Sequence, residues 1–425
     1  MIALGLIFVC AVLLGVPISF SILLACMGYF LTEGISMTVI GQQIVMLTGD
    51  SFTLMAVPFF IFAGGVMNHC GITDKIFGFC EKLVGHIPGG LGHANILASI
   101  VFAGMSGSAV ADTGGLGAIE LKAMREAGYD DDFSLAVTGA SSCIGPVIPP
   151  SVPFVMYGSL AGVSVGALFM GGFLPGILMG VVMMLFVYWQ AKKRRYEVKT
   201  RASIGEIWKS FKESFFALLT PVILIGGIML GVFTPTECAV AASFYALAYA
   251  LISGRVRLKE IPGIVAESLE TTVMVMFIAS TSAALGWILT NERVPATVAN
   301  FMISAFQNKY AVLFAILVIF FLVGMFMDGT ASCIILTPIL APVMASFGYS
   351  LVQFGVFMTV ALMIGLLTPP VGMVLFVLSS ISGVKVERIA KAIVPYIILL
   401  LLITIAVMLI PQISLLLPGI FGYPV

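Results

Sequence analysis

Apolar residues run along this 425-residue chain in long stretches, approximately 2–33, 53–68, 94–118, 133–162, 167–190, 215–233, 236–253, 271–290, 310–340, 353–380 and 392–416. A helix that crosses a bilayer needs about 20 such residues, so the pattern predicts an all-α polytopic membrane protein. Several runs are too long or too broken for one simple span. The 94–118 run carries Gly104-Met-Ser-Gly-Ser-Ala in its middle, and the 310–340 run carries Gly324-Met-Phe-Met-Asp-Gly-Thr-Ala. Both read as re-entrant hairpins, because non-helical backbone at membrane depth must be buried in protein or line an aqueous cavity. The 133–162 and 353–380 runs are each interrupted by Gly-x-x-x-Pro-Pro, at Gly145 to Pro150 and Gly365 to Pro370.

These interruptions lie 220 residues apart, and the same offset, without gaps, also superimposes their surroundings. Gly104-Met105 falls on Gly324-Met325, Ala111 on Ala331, Leu116 on Leu336, Ile119 on Ile339, Met124 on Met344 and Gly128-Tyr129 on Gly348-Tyr349. The chain reads as a duplication. The first repeat covers 1–190, with its hairpin at about 88–125 and its broken helix at about 133–162. A basic cytoplasmic loop follows at 191–214, and the second repeat covers 215–425, with hairpin at about 310–345 and broken helix at about 353–380. Two membrane-embedded halves with matched Gly/Pro-interrupted segments point to a secondary transporter whose site lies where the halves meet.

Charge enters through its position. Lys192, Lys193, Arg194, Arg195, Lys199, Arg201, Lys209 and Lys212 form one strongly positive loop, which belongs on the cytoplasmic side. Arg255, Arg257 and Lys259 follow two spans later on the same side. Lys122 and Arg125 have an equivalent stretch, 342–345, without Lys or Arg, and Lys385, Arg388 and Lys391 match an uncharged 165–171. Matched loops therefore face opposite sides, giving repeats of inverted topology and two periplasmic termini. Segments near 38–50 and 257–270 are polar enough to lie flat as interfacial arm helices.

Composition agrees with a bilayer protein and narrows little else. The chain is 60% hydrophobic and 9% charged, with mean hydropathy +1.16, against about 25% charged residues in soluble domains. Its net charge of +0 leaves no basic surplus for nucleic acid. The seven cysteines lack a C-x-x-C pair and sit mostly in apolar runs, so they read as small core residues. Gly104-Met105-Ser106-Gly107 matches the serine motif of rhomboid proteases, but no histidine follows His93, so a later helix cannot supply the base and no enzyme is expected.

The chemistry expected at the breaks is cation binding. A helix interrupted by Pro-Pro loses donors and leaves carbonyl oxygens unpaired at mid-membrane, and such oxygens with hydroxyls suit a hard cation. Two pseudo-symmetric Na⁺ sites follow. One uses Ser106 with carbonyls near Gly145, Ile148 and Pro150; the other uses Gly324 with Gly365, Thr368 and the carbonyl of Val371. An anionic substrate would be held by the positive ends of the half-helices and by hydroxyls, with Ser106, Ser108, Ser141, Ser142, Asp328 and Thr330 as candidates. No Lys or Arg occupies these segments. Asp112 and Asp328 are the carboxylates near the tips; either can act as an N-cap, and Asp328 is also a candidate to ligate Na⁺ or carry a proton.

Asp50-Ser51-Phe52, Pro58-Phe59-Phe60, Ser106-Gly-Ser-Ala-Val-Ala-Asp-Thr113, Pro149-Pro150-Ser151, Phe233-Thr-Pro-Thr-Glu237 and Thr368-Pro369-Pro370 together resemble the DctM-type large membrane subunit of tripartite ATP-independent periplasmic (TRAP) transporters. The resemblance covers nearly the whole chain. It implies a Na⁺-driven importer of an organic acid, such as sialic acid or a C4-dicarboxylate, in a bacterial or archaeal inner membrane. It implies a periplasmic substrate-binding protein of DctP type and a small four-helix subunit of DctQ type, which is expected to be a separate chain. It further implies an elevator, in which hairpins and broken helices form a transport domain moving against a scaffold. Glu237 is expected to be a structural cap or interface residue at a scaffold helix junction and not an ion ligand. The competing expectations are a stand-alone Na⁺-coupled di- or tricarboxylate symporter, and a channel or passive subunit, which inverted repeats fit less well.

Overall fold

The computed structural model describes residues 2–229, 231–305 and 309–424, with the side chains of Ile2, Thr48, Asp50, Ser106, Ala217, Ile303 and Lys309 outside that description. Among the described residues the protein is helical throughout and has no strand. The first half contains α1 (Ile2–Leu13), α2 (Ile18–Glu33), α3 (Thr38–Asp50), α4 (Ala56–His69), α5 (Ile72–Val84), α6 (Gly90–Ser106), α7 (Ala109–Gly114), α8 (Leu116–Glu126), α9 (Asp131–Ser142), α10 (Val152–Ala161) and α11 (Val165–Arg194). The second contains α12 (Ile204–Met229), α13 (Pro235–Ile252), α14 (Ile261–Asn291), α15 (Val294–Ala305), α16 (Lys309–Gly324), α17 (Gly329–Ser346), α18 (Leu351–Gly365), α19 (Met373–Ser382), α20 (Val386–Leu409) and α21 (Pro411–Ile420).

Six helical segments among the described residues are long and apolar enough to cross a membrane: Phe52–His69, α11, α13, α14, α17 and α20. The chain is a multi-pass membrane protein. Shorter apolar helices, including α6, α10, α16, α18 and α19, are what remains where Gly and Pro interrupt a run. Between α9 and α10, and between α18 and α19, the chain passes through Gly145–Pro150 and Gly365–Pro370, and both Pro-Pro peptide bonds are cis. Proline cannot donate to the preceding turn, so neither helix continues.

The packing interleaves the two halves. Helix α10 lies on α17, α19 lies on α7, and α9 lies on α20. The Cys143 thiol donates to Met363 O at 3.3 Å, and the Cys333 thiol to Pro153 O at 3.6 Å. Around these elements α4 packs on α13 and α14, with the Ser243 hydroxyl on Phe59 O at 2.7 Å. Helices α1 and α2 form a smaller core against Ala284 and Ile288 of α14.

Residues 38–50 form α3, as a separate helix. Residues 261–270 do not form a separate arm: they are the first turns of the continuous 31-residue α14. Two of their polar side chains, Glu267 and Ser268, line a cavity. Glu237 closes a capping box, accepting from the Thr234 N–H at 2.8 Å while the Thr234 hydroxyl accepts from the Glu237 N–H at 3.3 Å.

Arg125, Arg194 and Arg388, from three separated stretches, bind three consecutive acids at the start of α9. Arg125 Nε meets Asp131 at 2.7 Å, Arg388 Nε meets Asp132 at 2.6 Å, and Arg194 binds Asp130. The basic ends of α8, α11 and α20 therefore lie together at one end of the molecule.

Candidate transport site

Each hairpin tip rests on a helix break. In the first hairpin α6 closes at Ser106, and Gly107 turns the chain with φ +58°, a conformation that glycine adopts without strain. A Cβ on Gly107 would stand 2.7 Å from Pro150 O, so only glycine brings the tip this close to the break. In the second hairpin Gly324 lies against Gly365, and the Gly372 N–H donates to Met325 O at 3.0 Å.

The helices leaving the tips and breaks are capped from their own sequence. Ser108 caps α7 through Ala111 N, Ser151 caps α10 through Phe154 N, and Asp328 caps α17 by accepting from Thr330 N at 2.8 Å and Ala331 N at 3.3 Å. Asp112 is no cap. It sits inside α7, buried, with its carboxylate against Gly145 of the first break.

The break carbonyls are differently used. Among the described residues no hydrogen bond reaches the carbonyls of Gly145, Ile148 or Pro150, whereas Gly365 O accepts from Thr368 N at 3.0 Å. The Thr368 hydroxyl donates to Ile364 O at 2.9 Å, which leaves its lone pairs as acceptors for a cation. Val371 O takes no hydrogen bond among the described residues. The Ser106 side chain lies outside the described part of the structure.

Between the two tips lies a cavity of about 520 Å³. Its tip walls are Gly107, Ser108, Val110 and Ala111 on one side and Asp328, Thr330 and Ala331 on the other, with Val152 and Met373 from the breaks. The first turns of α7, α10, α17 and α19 thus all open onto one space. Among the described residues no Lys or Arg lines it. Three of these N-termini are capped by Ser108, Ser151 and Asp328. The remaining first-turn N–H groups and the partial positive charge of the helix ends are what favours an anion, on walls that also carry the Asp328 and Glu267 carboxylates.

Of the sequence candidates, Ser108, Asp328 and Thr330 line this cavity, and Ser141 and Ser142 do not. Both serines are buried in the last turn of α9, where the Ser141 hydroxyl donates to Asn95 Oδ1 at 2.7 Å and the Ser142 hydroxyl to Gly139 O at 2.8 Å. They face α6 and their own helix because the last turn of α9 packs inward. The opposite wall carries residues that sequence reasoning did not assign: Gly64, Gly65 and Asn68 of α4 and Glu267, Ser268 and Thr271 of α14. A signal existed in the polar positions 267, 268 and 271, had they been read as one face of a span.

With this geometry in view, the chain has the architecture of a membrane carrier. Its sequence matches the family "Tripartite ATP-independent periplasmic transporter, DctM component" over residues 4–413, and the chain belongs to that family. It is a transporter permease and not an enzyme. It is 42% identical over 424 residues to the sialic acid TRAP transporter large permease protein SiaM of Vibrio cholerae, covering 99% of this chain and 98% of that one. It is 35% identical to the 2,3-diketo-L-gulonate TRAP transporter large permease protein YiaN of Escherichia coli, covering 95% of each chain. It is also 35% identical to the C4-dicarboxylate TRAP transporter large permease protein DctM of Pseudomonas aeruginosa, covering 88% of each. The crystal structure of the Alcanivorax borkumensis YdaH transporter shares the fold, with TM-score 0.57, 14% identity and 88% of each chain covered.

Proposed function

We propose that this chain is the large transmembrane subunit of a Na⁺-coupled TRAP transporter that imports a small organic acid across the inner membrane. The observation that carries the reading is the cavity onto which the first turns of four helices open, lined among the described residues by no Lys or Arg and by two carboxylates, Asp328 and Glu267. Neutral N–H groups and hydroxyls hold a carboxylate firmly enough to bind and loosely enough to release. The relatives named for sialic acid, 2,3-diketo-L-gulonate and C4-dicarboxylates favour a carboxylate as cargo.

Two coupling ions sit at the contacts between tips and breaks. The first site is built from Ser106 and the carbonyls of Gly145, Ile148 and Pro150, which take no hydrogen bond among the described residues, with the Asp112 carboxylate beside Gly145 adding negative charge. The second uses Gly324, Gly365, Thr368 and Val371. The matched helix bounds, α6 to α11 against α16 to α20 at an offset near 220 residues, support two inverted repeats, 1–190 and 215–425, around the basic loop 191–214. The hairpins and broken helices would move as one body against α4, α13 and α14, in the manner of an elevator. The clustered arginines at one end support a cytoplasmic face there and periplasmic termini. A small four-helix DctQ-type subunit and a DctP-type periplasmic binding protein complete the system.

The test is uptake of radiolabelled carboxylates into proteoliposomes holding this chain, its small partner and the binding protein, with and without an inward Na⁺ gradient. The expected result is uptake that needs both the binding protein and Na⁺, with Na⁺ dependence weakened in Thr368→Ala and Ser106→Ala. Uptake indifferent to Na⁺ and to the binding protein would overturn the proposal in favour of a stand-alone carrier.

A further inference from the structure

A second cavity, of about 390 Å³, lies far from the hairpin tips, at the ends of α9, α11 and α20. Arg194, Arg388 and Lys391 line it together with one carboxylate, Asp132. The floor is apolar, made by Phe133, Ala136, Ala392 and Pro395. We propose that this cavity binds the phosphate of an anionic phospholipid head group, which docks from the adjacent leaflet.

The charge count favours an anion. Asp130, Asp131 and Asp132 are already matched by Arg194, Arg125 and Arg388. Lys391 is left as a cation without a partner among the described residues. The ion pairs also leave donors in reserve: Arg388 meets its aspartate through Nε and Arg194 through one Nη. A guanidinium carries five N–H donors in a planar fork suited to phosphate. With Arg194 and Arg388 each paired to an aspartate, Lys391 is the surplus positive charge at the cavity, and an anion held there neutralises it.

The position favours a lipid over free phosphate. α11 and α20 are long enough to cross a membrane, and the cavity sits where α11 ends and α20 begins, at head-group depth. From its rim, the exposed side chains of Val394, Ile398 and Leu402 run along α20 at helical spacing, an apolar track for an acyl chain. On α11, Leu185 and Trp189 are likewise exposed, and Lys193 lies 5.5 Å from the Trp189 ring. A Trp with neighbouring basic residues is an interfacial arrangement, and basic pockets between spans on the cytoplasmic side select anionic head groups.

The experiment is native mass spectrometry and thermal unfolding of the purified full chain titrated with phosphatidylglycerol, phosphatidylcholine or inorganic phosphate. Phosphatidylglycerol is expected to be retained and to raise the unfolding temperature, with the other two giving little. Lys391→Gln should weaken phosphatidylglycerol binding about fivefold, the worth of one basic residue near the surface, and Lys391→Glu further. Lys391→Arg should restore it, and Lys122→Gln, outside the cavity, should leave it unchanged; these two separate loss of binding from loss of fold. Stabilisation by inorganic phosphate equal to that by phosphatidylglycerol would overturn the lipid assignment. Equal retention of both lipids, or indifference to Lys391, would overturn the site itself.

Discussion

Gly324 and Gly365 meet backbone to backbone where the second hairpin touches the second helix break. A Cβ on Gly365 would stand 2.5 Å from Gly324 Cα and 3.0 Å from Met325 N, and one on Gly324 would stand 2.8 Å from Leu362 O. Neither partner is a flexible side chain that could swing away. Gly365→Ala and Gly324→Ala are therefore expected to cost about 1–3 kcal/mol through overpacking, outweighing the roughly 1 kcal/mol an alanine gains in a helix. In uptake assays both should raise the Na⁺ concentration needed for half-maximal rate. Gly263→Ala, which meets nothing within 4 Å, is the matched control; equal behaviour of all three variants would show that this contact does not matter.

Asp328 spends its carboxylate on two backbone N–H groups at the head of α17 while facing the central cavity. Asparagine caps a helix about as well as aspartate, and alanine loses about 1 kcal/mol. If capping is the residue's task, Asp328→Asn should keep transport and Asp328→Ala should lower both unfolding temperature and rate. Transport abolished by asparagine alone would assign Asp328 a charge-dependent role in binding Na⁺ or a proton.

The class of the protein was legible because hydropathy acts over whole segments: eleven apolar runs with 9% charge admit little other than a helical membrane protein. Glu237 was legible as a cap because Thr-x-x-Glu before an apolar run is a local rule. Side-chain direction was not. Ser141 and Ser142 lie close in sequence to the first break, but one turn of helix decides whether a hydroxyl faces the cavity or Asn95. Asp112 and Asp328 looked alike as cap candidates, and the fold separates them, placing one against Gly145 and the other on the N–H groups of α17. The Glu267–Thr271 wall escaped because polar residues on an apolar helix read locally as an interfacial segment. Only the packing of α14 against the tips shows that these side chains line an internal cavity.

Asn95 joins three elements in the buried interior of the first half. Its amide nitrogen donates to Glu120 Oε2 at 2.6 Å and to Thr138 Oγ1 at 2.8 Å, while its oxygen accepts from Ser141. Asn95→Ala would leave Glu120 without that donor in a site where Oε1 already has none among the described residues. The expected loss is about 1–3 kcal/mol in unfolding experiments. Glu120→Gln keeps an acceptor for Asn95 and replaces a buried carboxyl that no Lys or Arg pairs among the described residues, so its stability should equal or exceed that of the parent. A Glu120→Gln protein as damaged as Asn95→Ala would mean that the carboxyl itself is needed.

The charged end of the molecule should betray itself in acid. Asp130 lies between α8 and α9, outside the spans, where burial alone would raise its carboxyl. Hydrogen bonds from Arg194, Tyr196 and the Phe133 N–H nevertheless hold it below the usual carboxylate range. A value lowered by folding stabilises the protein fully above the unfolded value of about 4, and the stabilisation is lost as pH falls through the folded value. Asp130→Asn keeps the N-cap of α9 and deletes only the charge. Its unfolding temperature should lie below the parent's at neutral pH, by an amount worth no more than about 1 kcal/mol because the pair is partly exposed. The two curves should converge as the pH is taken below about 4. The Tyr196 hydroxyl, pushed up to about 12 by burial and by Asp130, adds a second signature: stability should decline in alkali once pH passes about 10, where an unfolded tyrosine ionises first. A gap between parent and Asp130→Asn that is independent of pH would remove the ion pair as its cause and leave a packing defect in its place.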